Sequence, residues 1–71
     1  MDKHNLVRMA NSIGDFFRAQ PDREEAINGI ADHVRRFWEP RMRREIMDHV
    51  AAGGEGLSDI VREALSTRNI S

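Results

Sequence analysis

The chain has 71 residues, 39% of them hydrophobic, with eleven Lys and Arg against twelve Asp and Glu, a formal net charge of -1 and no cysteine. That length allows one domain; the charge balance argues against a protein built mainly to coat nucleic acid or anionic lipid; and the missing cysteines exclude disulfide staples and any thiolate ligand from this chain to iron-sulfur clusters or molybdenum. The opening MDKHNLVRMA lacks an export-type apolar stretch and no run approaches the roughly 18 apolar residues that span a bilayer, so a cytoplasmic chain without membrane contact is expected.

Leu6, Val7, Met9, Ala10, Ile13, Phe16 and Phe17 recur at helical spacing, predicting a first helix over about 5–19 that Pro21 stops. Asp22 with Glu25 three residues on reads as a capping-box variant, and Glu24 adds negative charge at the positive end of a second helix, 22–38. Its apolar stripe is Ala26, Ile27, Ile30, Ala31, Val34, Phe37 and Trp38. Pro40 drives Glu39 out of the helical region and cannot donate a backbone hydrogen bond, so a third helix starts at Pro40 and runs to 52. Met42, Ile46, Met47 and Val50 form its apolar face, and Gly53 or Gly54 supplies the left-handed turn that ends it. Ser58 is the expected cap of a short fourth helix, 59–66, with Ile60, Val61, Ala64 and Leu65 inward, and the tail STRNIS is expected to fray. The fold class is all-α: a small bundle of three helices plus a short fourth, in one domain over residues 1–71.

Few of the chemical motifs rise above bland readings. The GGEG run follows a helix and has neither nucleotide-loop spacing, so it reads as a helix stop, whereas Gly14 and Gly29 sit inside helices and point to close helix approach. His4, His33 and His49 are never three or four residues apart, and no nucleophile lies in a local catalytic motif; the expectation is no catalytic, cofactor or metal residue in this chain. A small domain with neither disulfide nor metal clip is expected to gain stability from a partner.

The segment RRFWEPRMRRE is the exception. It gathers five arginines around the single tryptophan, and Arg41, Arg43 and Arg44 stand at the start of a helix, where the dipole disfavours cations by a few tenths to about 1 kcal/mol each. Glu45 and Asp48 lie four residues after Arg41 and Arg44, in the weaker orientation for such pairs. Three accounts are open: a solvated face over buried aromatics, a protein interface anchored by Trp and Arg, or a phosphate-binding face for nucleic acid. Residues 40–52 hold no Asn, Gln, Ser or Thr to read bases, which weighs against a recognition helix. The candidate partner-binding residues are Arg35, Arg36, Phe37, Trp38, Pro40, Arg41, Met42 and Arg43.

MANSIGDFFRA, IADHVRRFWEPRMRREI and HVAAGGEGLSDIVREAL together resemble the delta subunit family of the NAD-dependent, molybdenum-containing formate dehydrogenases, over about residues 6–65. The phrase FWEPRMR followed closely by AAGGEGL carries most of the likeness, resting on Phe16, Phe17, Phe37, Trp38, Pro40 to Arg43, Gly53, Gly54, Gly56 and Leu57. Departures fall at Ser58 and Asp59, where the family pattern opens the last helix with Asp-Pro, and at Gly29. The resemblance implies a non-catalytic accessory subunit of a cytoplasmic complex. Its large alpha subunit would carry bis-molybdopterin guanine dinucleotide and iron-sulfur clusters, and beta and gamma subunits would pass electrons through flavin and iron-sulfur centres to NAD. It further implies docking of this chain on the alpha subunit to support assembly, cofactor loading or stability.

Overall fold

The computed structural model describes residues 2–71 and shows four α-helices in chain order: α1 (Lys3–Phe17), α2 (Arg23–Phe37), α3 (Pro40–Ala51) and α4 (Asp59–Thr67). Among the described residues there is no strand. α1 starts earlier than the periodicity implied, because Asp2 caps it by accepting a hydrogen bond from the His4 N–H at 3.1 Å. It also ends earlier, at Phe17: Pro21 biases Gln20 toward extended backbone, and the Gln20 N–H closes a turn onto the Phe17 carbonyl. Asp22 caps α2 through the Glu24 N–H, as an N-cap acid does.

α3 ends in a Schellman turn. The Gly54 N–H reaches the His49 carbonyl at 2.9 Å and the Gly53 N–H reaches that of Val50 at 3.0 Å, with Gly53 at φ 120° and Gly54 at φ 65°. The loop that follows is tied to α1 by one side chain: Asn11 Nδ2 donates to the Gly56 carbonyl at 2.9 Å, while its Oδ1 accepts from the Ser58 N–H at 3.0 Å. Ser58 occupies the N-cap position of α4, yet its hydroxyl makes no capping bond and lies buried without a partner among the described residues. The expected serine cap is therefore only positional; Asn11 has taken the role of holding that corner.

One apolar core runs through the bundle, built from Leu6 and Ala10 of α1, Ile27, Ile30 and Val34 of α2, Ile46 of α3, and Ile60, Val61 and Leu65 of α4, with Trp38 and Leu57 from the connections. α1 and α4 each touch the other three helices, whereas α2 and α3, neighbours in sequence, barely touch. The tail does not fray as its composition suggested. Arg68 pairs with Glu24 and donates to Asn28 Oδ1 at 2.8 Å, and Ile70 is only 1% exposed within the core. Asn69 borders the α2 residues Ala31, Asp32 and Arg35, and Ser71 borders Pro40, Arg43 and Met47 of α3. The tail thus crosses the seam between the two helices that contact each other least, and burial of one isoleucine outweighs terminal disorder.

Gly14 marks where α4 comes nearest α1, since a Cβ built on it collides with Cγ2 of the fully buried Val61. At Gly29 the neighbour is the Phe17 ring, 2.5 Å from the built Cβ. Gly14→Ala gains about 1 kcal/mol of helix propensity but overpacks a site that relaxes only at a cost of about 1–3 kcal/mol. Thermal denaturation should therefore show a lower Tm for Gly14→Ala; a raised Tm would mean that α1 and α4 have room to separate. Gly29→Ala should be milder, because the half-buried Phe17 ring lies nearer the surface than Val61 does.

Candidate functional site

The arginine-rich junction between α2 and α3 is a sharp bend made by extended backbone at Trp38 (φ -89°, ψ 135°) and Glu39 (φ -70°, ψ 160°), with Pro40 opening α3. The Trp38 N–H still bonds to the Val34 carbonyl at 3.0 Å, which swings the indole under the bend, where it is 5% exposed. The expectation that Trp38 contacts a partner needs correcting: in this fold the indole belongs to the domain's own core. Met42 is half-buried against the same core, and Pro40 is exposed.

The arginines divide by role. Arg35 and Arg36 both pair with Asp32, one turn back on the exposed face of α2. Arg43 Nη1 donates to the Arg35 carbonyl at 2.6 Å, satisfying one of the orphan acceptors at the end of α2 from the first turn of α3. This bond offsets the dipole cost of Arg43, and the juxtaposition that makes it possible comes from the bend. Arg41 and Arg44 are exposed, and among the described residues neither forms the pair with Glu45 or Asp48 that the spacing offered. Between residues 32 and 44 five arginines face two acids, Asp32 and Glu39, so a chain of net charge -1 carries a local excess of positive charge here.

Beside the junction lies a feature that the sequence reading placed inside the protein. Phe16 and Phe37 were both assigned to inward stripes, yet they are 73% and 72% exposed. They end a row of rings across α1 and α2: Phe16 meets Phe17 edge-on with centroids 5.1 Å apart, Phe17 lies 6.4 Å from His33, and His33 lies 4.8 Å from Phe37. The row borders a shallow groove of about 310 Å³ lined by Ser12, Ile13, Phe16, Phe17 and His33. Successive helical residues are about 100° apart, so of the adjacent pairs Phe16–Phe17 and Phe37–Trp38 one member of each turns outward. The available signal was this adjacency; what it could not reveal was which member the core would take. Fully burying a phenylalanine is worth about 1.5–3 kcal/mol, a gain that two solvent-facing rings forgo in the isolated chain.

Among the described residues no group of three His, Asp or Glu side chains converges as a metal cluster would require, and no helix is long and apolar enough to cross a membrane. The polar groove between Asn28 and Asn69 has both of its arginines, Arg35 and Arg68, already paired to acids. Arg35, Arg36, Phe37 and Arg41 are exposed, and Phe37 makes this cationic surface continuous with the aromatic row. Residues 5–65 match the family described as "NADH-dependant formate dehydrogenase delta subunit FdsD". No curated protein and no solved structure matches the chain.

Proposed function

Since the chain belongs to the delta subunit family of NADH-dependent formate dehydrogenase, we propose that it is a non-catalytic accessory subunit which docks on the large molybdenum-containing alpha subunit and supports assembly, cofactor loading or stability of a cytoplasmic complex. The family match across residues 5–65 carries this reading. The α2–α3 junction supplies the means: Arg35, Arg36 and Arg41 project outward beside Phe37, while Trp38, Pro40, Met42 and Arg43 hold the bend that presents them. In this reading the electron path of the complex, through bis-molybdopterin guanine dinucleotide, iron-sulfur clusters and flavin to NAD, belongs to the alpha, beta and gamma subunits. This chain has no cysteine to ligate an iron-sulfur cluster or molybdenum and, among the described residues, no group of three His, Asp or Glu placed to hold a metal ion.

A subunit that binds only the folded, loaded form of its partner raises that form's apparent stability by mass action, by about 2.7 kcal/mol at a hundredfold excess over Kd. No chemistry is required of the accessory chain, which is consistent with the bland reading of its histidines and serines.

The test is charge reversal at two exposed positions. Arg36→Glu with Arg41→Glu should leave the helical circular dichroism unchanged but abolish co-purification with the large subunit, and the wild-type interaction should weaken as salt rises. Undiminished co-purification of the double variant would remove the junction from the interface. A wild-type chain that never co-purifies with the large subunit would overturn the docking role itself.

A further inference from the structure

The aromatic row is continuous with the arginine junction through Phe37, which ends α2 immediately before the bend. Its chemistry defines what can sit on it. The groove wall is apolar, formed on α1 by pairs four residues apart, Ser12 with Phe16 and Ile13 with Phe17, and on α2 by His33, whose ring lies 4.8 Å from that of Phe37 just beyond the groove. Two such ridges with a furrow between them are the surface into which a third helix packs its own ridge of side chains. At the Phe37 end the surroundings are cationic: Arg35 and Arg36 share one acid, and Arg41 has no ion partner among the described residues.

We propose that the face Phe16–Phe17–His33–Phe37 seats an amphipathic helix of the formate dehydrogenase large subunit, its apolar ridge entering the α1–α2 groove and acidic residues at its end beside Arg36 and Arg41. This rests on the docking role proposed above and adds to it the chemistry of the partner segment. Phe16 and Phe37 are the anchors, because they have the most area still to lose from water. His33, between Phe17 and Phe37, links the α1 rings to Phe37 and forms the α2 side of the groove. A second copy of this chain is the less suitable occupant. Two phenylalanine faces offer a few hundred Å² at about 150–250 Å² per ring, short of the roughly 800 Å² per partner of a stable dimer, whereas a large subunit can extend the contact onto the arginines.

The experiment uses the assembled complex. With p-benzoylphenylalanine in place of Phe16 or of Phe37, irradiation followed by peptide mass spectrometry should join the chain to one segment of the large subunit with apolar residues at helical spacing and Asp or Glu at one end. In parallel, Phe16→Ser with Phe37→Ser should weaken binding to the purified large subunit by about tenfold or more while leaving the Tm of the free chain unchanged or higher. Cross-links to a second copy, to no subunit, or to a segment without that pattern would overturn the proposal, as would full affinity in the double serine variant. If wild type binds the large subunit and the serine variant binds equally, only the seat of the helix is wrong. If wild type fails to bind, the docking role falls with it.

Discussion

Trp38→Ala is expected to destabilise the fold itself, not merely to release an intact domain from its partner. The indole is 5% exposed in the core, beneath a bend whose geometry depends on the Trp38 N–H bond to Val34. Truncating a buried tryptophan to alanine removes the apolar contacts and leaves a void, at a cost of about 3–5 kcal/mol. A domain of this length has about 4–11 kcal/mol in total, on the usual scale of 0.05–0.15 kcal/mol per residue. The loss is therefore roughly a quarter of the whole at the least. Thermal melts should show the Tm lowered by more than about 12 °C, at roughly 4 °C or more per kcal/mol for a domain of this size. Because the chain has one tryptophan, its fluorescence offers a second measurement: wild type should emit to the blue and resist aqueous quenchers, and both properties should vanish on the same curve as the helical signal. A Trp38→Ala variant that melts like wild type yet no longer binds the large subunit would put the ring outside the core. Phe37→Ser, one residue away, should do the opposite and leave the Tm alone while weakening the complex.

That contrast between neighbours shows what could be read in the chain and what could not. The breaks between helices come from local chemistry: Pro21, Pro40 and the Gly53–Gly54 turn act through their own backbones, and the helices stop where those residues require. The core positions of α2 and α4 follow from their spacing. Choices that depend on distant partners were not legible. Adjacent Phe37 and Trp38 compete for one inward direction, and the outcome depends on what α1 and α4 bring beneath the bend. The costly cations of α3 divide in a way the sequence does not announce: Arg43 is offset by the Arg35 carbonyl eight residues earlier, while Arg41 remains outward and without a partner among the described residues. Asn11 appeared as an ordinary polar position on α1; its clamp on Gly56 and Ser58 spans more than forty residues of sequence, and no local pattern announces it. The tail is the clearest case, since its composition suggests disorder and only the gap between α2 and α3 explains why it is held.

Ile70→Ala should consequently destabilise the domain by about 2 kcal/mol, far more than its place next to the last residue would suggest. Removing three carbons from a buried isoleucine costs about 2–5 kcal/mol, and the lower end applies because a terminal segment can detach instead of leaving a rigid cavity. Arg68→Ala should cost less, since Glu24, its ion partner, faces solvent and pairs with an exposed member are worth about 0–1 kcal/mol. Urea denaturation of the two variants separates the terms, with the midpoint reporting stability and the slope reporting whether the tail has left the surface. An unchanged midpoint for Ile70→Ala would mean that the last residues contribute no packing. The consequence reaches the junction, because the tail borders Arg35 on one helix and Arg43 on the other, the two residues joined by the bond that stiffens the bend. A loosened tail should therefore weaken docking as well, and restoring bulk with Ile70→Leu should recover stability and binding together.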